Sequence, residues 1–326
     1  MRSTFQYQIA TGRTTFPVAV LISLVLWIVP FQDKTELLSL LACGITTYLL
    51  IELNTTFALI RTRTELPSAL FLFLYSAALF LHPYQHTCWV QLLIMFMLFA
   101  LFNSYESKYA PSHIFHAFLF LGVGSMLVPD LLWLIPLCFI SMASLRSLNA
   151  RSFFASIIGF TLPYWIVLGY RLFVNINDTD AIVGFGIQQL INDYFGSLTP
   201  FGTTLEGLIA EYKSIQLVQG VTYGVILIIS IIGCFYCNYY SNNDKVRTRS
   251  FIAALIPIQI GITLLVFLHP SLIDTFLPIL AAFAALTCSY IFALVSNLFT
   301  CYFLIAILLL SGGIGLLNVW MHFFNF

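Results

Sequence analysis

Charge is what this 326-residue chain has least of: thirteen Lys and Arg and thirteen Asp and Glu make up 8% of it and cancel to a formal net charge of zero. A soluble domain carries about 25% charged residues, and so few charges cannot clothe a water-exposed surface on a chain of this length. The shortage excludes a soluble enzyme and a disordered protein. The missing net charge leaves no field to attract nucleic acid or an acidic substrate. Chemical signatures are scarce as well. No Gly-x-x-x-x-Gly-Lys-Ser/Thr loop is present to cradle a phosphate, and no His-Glu-x-x-His to hold zinc. The seven cysteines are an odd number scattered mostly through apolar runs, where Cys behaves as a small hydrophobe, and they form no disulfide framework. The sequence names no cofactor.

What the chain has in excess is apolar surface. Hydrophobic residues are 60% of it, with 32 Phe, 16 Tyr and 5 Trp. Phe is at home in hydrocarbon, while Tyr and Trp collect at its edges. The solvent is therefore mostly lipid, and the expected fold is an all-α polytopic transmembrane bundle. A span needs roughly 20 apolar residues, fewer if its ends snorkel. Eleven segments qualify within limits of nine to twelve, at approximately 16–31, 37–60, 68–82, 88–103, 112–128, 131–145, 152–172, 216–240, 250–268, 272–295 and 299–322. Only Pro129-Asp130 separates 112–128 from 131–145, so this pair reads either as two spans or as a broken, re-entrant pair. The run Phe16–Phe31 follows Arg2 and Arg13 but precedes no small-x-small cleavage site, and is expected to be an uncleaved first span.

Alternating the eleven segments across a bilayer sorts the basic residues without adjustment. Arg2, Arg13, Arg61, Arg63, Lys108, Arg146, Arg151, Lys245, Arg247 and Arg249 fall on one side; Lys34, Arg171 and Lys213 fall on the other. The positive-inside rule then puts the N-terminus in the cytoplasm and the C-terminus on the far side of the membrane, which is the periplasmic side if the membrane is the inner one of a bacterium. Asp33, Glu36, Asp130, Asp178, Asp180, Asp193, Glu206, Glu211 and Asp274 gather on the outer side.

One polar interruption, 173–215, divides the chain into an N-terminal block of about seven spans (1–172) and a C-terminal block of about four (216–326). Within it Ile187, Leu190, Ile191 and Phe195 make one apolar stripe, and Leu205, Leu208, Ile209 and Tyr212 make another. Both fit amphipathic helices capping the outer face, separated by a turn at Pro200-Phe201-Gly202.

Few residues are left to carry chemistry. His82 and His86 are four apart, but Pro83 between them argues for a turn and interfacial anchoring over metal binding. His113 and His116 stand at a helix start without a third ligand. Cys234-x-x-Cys237 closes an apolar helix, where a redox pair of this spacing usually opens one after a strand. Glu52 is the one ionisable residue well inside a span, a functional candidate by default. Its plain alternative is a capping contact or a pair with Arg61 or Arg63. Asp33, Glu36 and Asp130, at the outer boundary, have the chemistry to bind a divalent ion or act as a general base. Equally, each suits a solvated loop, and Asp130 is placed to cap the helix that follows.

Two resemblances rest on residues 98–165. Leu98-Phe-Ala-Leu-Phe-Asn-Ser-Tyr-Glu-Ser, His113-Ile-Phe-His-Ala-Phe-Leu-Phe-Leu-Gly-Val-Gly-Ser-Met-Leu-Val-Pro-Asp and Ile157-Ile-Gly-Phe-Thr-Leu-Pro-Tyr-Trp resemble an uncharacterised family of multi-pass inner-membrane proteins from Bacteroidota. The rhythm of Leu121-Gly-Val-Gly-Ser-Met-Leu-Val-Pro is also similar to the GT-C class of integral-membrane glycosyltransferases. That second resemblance implies a GT-C-like bundle, a polyprenyl-phosphate sugar donor as partner beside the lipid bilayer, and an acidic residue in the first outer loop. Asp33 or Glu36 holds that position here. The chain departs from the class in the shortness of this loop, 32–36, and in the lack of a carboxylate at 82–87. The rival expectation is a non-enzymatic transporter or flippase for an amphiphilic substrate, or an assembly subunit, so enzymatic activity stays open. A transporter would place polar groups at the membrane midplane on interrupted helices; Gly312-Gly313-x-Gly315 and the Pro-interrupted spans suit it. The transferase expectation is tested by Asp33→Asn and Glu36→Gln with surface glycans as the readout. It predicts that one of the two abolishes glycan assembly; full activity in both variants removes the assignment.

Overall fold

The computed structural model describes residues 4–31, 33–174, 192, 194, 196, 198, 205–295 and 297–324. Among them the regular structure is helical. In chain order the α-helices are α1 (Thr4–Thr11), α2 (Thr15–Ile28), α3 (Glu36–Phe57), α4 (Leu66–Ala77), α5 (Cys88–Asn103), α6 (Ala110–Leu127) and α7 (Ile135–Ser144). They continue as α8 (Ala150–Val174), α9 (Leu205–Ser214), α10 (Leu217–Ser241), α11 (Val246–Leu268), α12 (Ile273–Leu294) and α13 (Leu298–Phe324). Hydrocarbon offers backbone N–H and C=O groups no partner, and a helix satisfies them within one segment. Each apolar segment of the sequence coincides with a helix. Seven of the helices are long and apolar enough to cross a membrane; α2, α4, α5 and the segment Pro129–Ser144 are shorter apolar helices. The Pro129-Asp130 break is a 3-10 turn, Pro129–Leu134, leading into the ten-residue α7. The first stripe of the expected cap, Ile187 to Phe195, lies outside the described residues. The second stripe is α9.

The chain packs as two compact units, residues 1–91 with 204–326 and residues 92–203. In the first unit the short α4 is buried at every residue but Phe73, and α12 is the most buried of the long helices: 89% of its apolar window is covered. Its sequence explains this. Ala281, Ala282, Ala284 and Ala285 are each 1% exposed or less, and side chains this small let neighbouring helices approach from several directions. Gly233 of α10 meets α12 closely, since a Cβ there would stand 2.7 Å from Thr287 Oγ1.

Four connections meet at one end of this unit. Arg61, in the α3–α4 loop, pairs with Asp244 in the α10–α11 turn and donates to the Asn243 carbonyl at 3.0 Å. Asp244 also accepts from the Tyr290 hydroxyl. Thr64 Oγ1 donates to the Ala10 carbonyl of α1. Gln6 Nε2 donates to Phe292 O at 2.9 Å and Val295 O at 2.7 Å, tying α1 to the α12–α13 turn. This end carries Arg13, Arg61, Arg63, Lys245, Arg247 and Arg249 on its connections or the adjoining helix ends. Asn54, near the end of α3, closes the α3–α4 loop by donating to Thr64 O and accepting from Ile60 N. At the opposite end of the unit Asp274 accepts a hydrogen bond from Gln85, and Tyr212 of α9 donates to the Phe267 carbonyl at 2.9 Å.

In the second unit α6 and α8 cross backbone to backbone. A Cβ on Gly122 would stand 2.5 Å from the Phe160 carbonyl oxygen, and one on Gly159 2.4 Å from that of Phe115. The crossing is locked beside these glycines by the Ser125 and Tyr164 hydroxyls, 2.7 Å apart. Gly169 of α8 has no atom within 4 Å of such a Cβ. Gly122→Ala and Gly159→Ala are therefore expected to destabilise the protein by about 2 kcal/mol each, read as a lower melting temperature in detergent. Gly169→Ala should be neutral or stabilise by up to about 1 kcal/mol through helix propensity. A common response of all three glycines would show that the crossing does not need them.

Candidate functional site

Between α10 and α11 of the first unit lies a groove of about 490 Å³. Its walls are apolar and reach the surface: Ile231, Phe235, Ile260 and Phe267 are all more than half exposed. Along α10 it runs from Leu227 to Asn238, eleven residue steps or about 16 Å. That is about one leaflet of a hydrocarbon core roughly 30 Å thick.

The groove has a polar floor. Ser230 and Thr263 line it, with their hydroxyls 3.3 Å apart. Behind them Gln259, fully buried, donates through Nε2 to Ser230 Oγ at 2.9 Å and to Thr287 Oγ1 at 3.4 Å. Thr263 donates to the Gln259 carbonyl at 2.8 Å, and Thr287 to the Phe283 carbonyl at 3.1 Å. Gln259 Oε1 is left without a hydrogen-bond partner. Ser230, Gln259 and Thr287 each stand near the middle of their helices, α10, α11 and α12. Pro257 lies two residues before Gln259 inside α11, and Pro278 lies inside α12. Lacking an N–H, Pro257 cannot bond the carbonyl one turn earlier, so one backbone hydrogen bond of the otherwise continuous helix is missing beside the polar cluster.

The residues singled out from sequence are dispersed. In the first unit Asp33 is exposed on the loop before α3. Glu36, at the first position of α3, is buried and accepts from the Asp33 backbone N–H at 3.4 Å. Glu52 is half-buried in the last two turns of α3, where Thr56 Oγ1 donates to its carboxylate at 3.0 Å. Arg61, a partner considered for it, is held by Asp244. In the second unit Asp130 is buried inside the 3-10 turn, and the residue that precedes α7 as its cap is Leu134. His82 is buried with its ring stacked on Trp27, the centroids 3.8 Å apart, whereas His86 is exposed beside Tyr84. Cys234 lines the groove, and both it and Cys237 are buried free thiols. Gly315 packs against Ala77 and Leu26, and Asn318 Nδ2 of the same helix donates to the Ala77 carbonyl at 2.7 Å. Among the described residues no three His, Cys, Asp or Glu side chains gather to hold a metal ion. Outside the apolar helices, partial burial raises the Tyr212 phenol above its ordinary range.

Gln259 escapes a search for charges because it is neutral. Its signal is compositional: an amide two residues after Pro257 in an otherwise apolar run. Compared with protein-family models, curated proteins and solved structures, the chain matches none.

The cluster is half-satisfied, and replacing such a group by an apolar one of the same shape is close to neutral, whereas removing one partner leaves the other unmet. Gln259→Met should therefore hold or raise the melting temperature. Ser230→Ala should lower it, through a loss of about 1 kcal/mol of stability. The reverse order would mean that Gln259 Oε1 has bonds of its own.

Proposed function

We propose that the chain is a multi-pass inner-membrane carrier, a transporter or flippase, for an amphiphilic lipid-like substrate whose tail lies between α10 and α11. The observation that carries this reading is an apolar groove at the surface with a hydrogen-bonded polar floor at mid-helix, beside a proline inside α11. Polar groups at the midplane on interrupted helices are the arrangement of secondary transporters. A buried amide with an unused acceptor is costly in hydrocarbon unless something uses it. All eleven apolar helices cross the bilayer in this reading, and the end joined by Arg61–Asp244 faces the cytoplasm because it carries the basic connections.

Glycosyl transfer from a polyprenyl-phosphate donor on a GT-C-like bundle is the second reading. One observation favours it: Asp33 is exposed on the loop between α2 and α3, the position of the acidic residue in that class.

Filling the groove separates the carrier reading from a structural one. In the Ile231→Trp/Ile260→Trp double variant, lipid co-purifying with the protein should be lost in native mass spectrometry. Movement of a fluorescent lipid between leaflets of reconstituted vesicles should fall to the protein-free rate. Ile228→Trp, exposed on α10 but outside the groove lining, should retain both. Lipid binding and movement that survive the double variant would overturn the proposal.

A further inference from the structure

The groove is not symmetrical along its length. Toward the α10–α11 turn its lining ends on Asn238, an exposed amide three residues before the end of α10. Counted outward from the turn at 242–245, Asn238 and Arg249 stand at the same height on their two helices. Arg249 is exposed. It precedes the groove residue Ile256 by seven positions, two helical turns, and so shares its stripe on α11. The neighbouring cations are engaged differently. Arg61 is held by Asp244, and Arg247 lies over the Phe251 ring at 5.5 Å, on another side of α11. The lining therefore ends on the Asn238 amide, and the exposed Arg249 guanidinium stands at the same height, two turns beyond Ile256 on the groove stripe of α11.

From this charge complementarity we infer that the α10–α11 groove is a binding site for an anionic phospholipid of the leaflet at the basic end, its phosphate held by Arg249 and Asn238 and one acyl tail lying over Ser230 and Thr263. The inference rests on the reading of the groove as a lipid-tail site and adds the headgroup class and the leaflet of entry. The components fit by chemistry and by length. A guanidinium presents a fork of N–H donors to phosphate oxygens, and an amide N–H₂ adds donors beside it. The tail space is about one leaflet deep. The hydroxyl pair of Ser230 and Thr263, 3.3 Å apart, lies near the inner end of such a tail.

The full chain, reconstituted in mixed phosphatidylcholine–phosphatidylglycerol vesicles, is labelled with photoreactive analogues of each lipid carrying a diazirine in the tail. Cross-linked peptides are mapped by mass spectrometry. The phosphatidylglycerol probe should label the groove segments 227–238 and 256–267 about five-fold more than the phosphatidylcholine probe, the preference of one basic side chain near a membrane surface. Arg249→Ser should bring the two probes to parity while labelling by phosphatidylcholine persists. Arg247→Ser removes the same charge from the same turn and should keep the excess, which separates a built site from general attraction to a basic surface. An excess that survives Arg249→Ser, or one lost equally in Arg247→Ser, overturns the headgroup site. Equal labelling by both probes in the unaltered chain overturns it too and leaves the tail groove standing. No labelling of either segment by either probe brings down the groove reading itself.

Discussion

In hydrocarbon a polar atom can bond only to the protein, and the internal economy of this chain follows from that constraint. It dictates helices first. It then dictates what the few polar side chains within them do. Thr46 and Thr47 donate back to the carbonyls one turn earlier, at 2.8 Å each, and Ser311 does the same to Ile307, so these hydroxyls are consumed locally. At the basic end the requirement is met across elements: Gln6 reaches past the end of α12, Asn54 closes its own loop, and Arg61 shares Asp244 with Tyr290. The requirement is not met everywhere: Gln259 is a fully buried amide of which only the donor half is used, and both amide atoms of buried Gln91 and both ring nitrogens of buried His269 are also unmet.

Lipid also removes the usual reason for helices to associate, because a neighbouring tail is as apolar as a neighbouring leucine. Contact then has to come from shape. Where the units are tight, the residues are small: the alanines of α12, Gly233 against Thr287, and the reciprocal glycines of α6 and α8. The facing stripes of α10 and α11 depart from that pattern. They present Phe235, Ile231, Ile260 and Phe267 outward, and side chains of that size hold two helix surfaces apart and leave a channel. The groove and the tight crossings are thus opposite outcomes of one packing rule.

This rule also explains how far the sequence could be read. Spans are legible because apolar length is a local property, and the grouping of Arg61, Arg249 and their like on one set of connections is visible in the sequence itself. Short elements were harder. α4 and α7 are 12 and 10 residues long, and hydropathy blends them into the 3-10 turns that follow or precede them. The site was read least well. Attention went to carboxylates, because an ion in lipid is expensive, yet Glu52 is near the end of α3 with a threonine partner and Asp33 is exposed in a loop. A neutral amide raises no such alarm. Nor does sequence show that Ser230, Thr263 and Thr287, on three different helices, converge on it, since each alone is a hydroxyl that can bond its own backbone.

The height of a polar cluster in the membrane is what separates the two functional readings. A transferase acting on a lipid-linked sugar needs its acid and base at the water boundary, where the phosphate and sugar sit. Asp33 has that exposure, with Glu36 engaged by the Asp33 backbone N–H. A carrier needs polar groups where a headgroup would otherwise meet only hydrocarbon, and they must be modest ones, because a site that binds too well does not release. Hydroxyls and one amide fit that demand better than charges do. Ser230, Thr263 and Gln259 are neutral, near mid-helix and beside a proline in α11, and the groove lined by Ser230 and Thr263 runs to Asn238. A phosphate drawn in by the arginine would find at depth only weak donors and acceptors, with a tail already threaded between the helices. Neutral polar groups at mid-helix are thus what favours the carrier reading over the transferase.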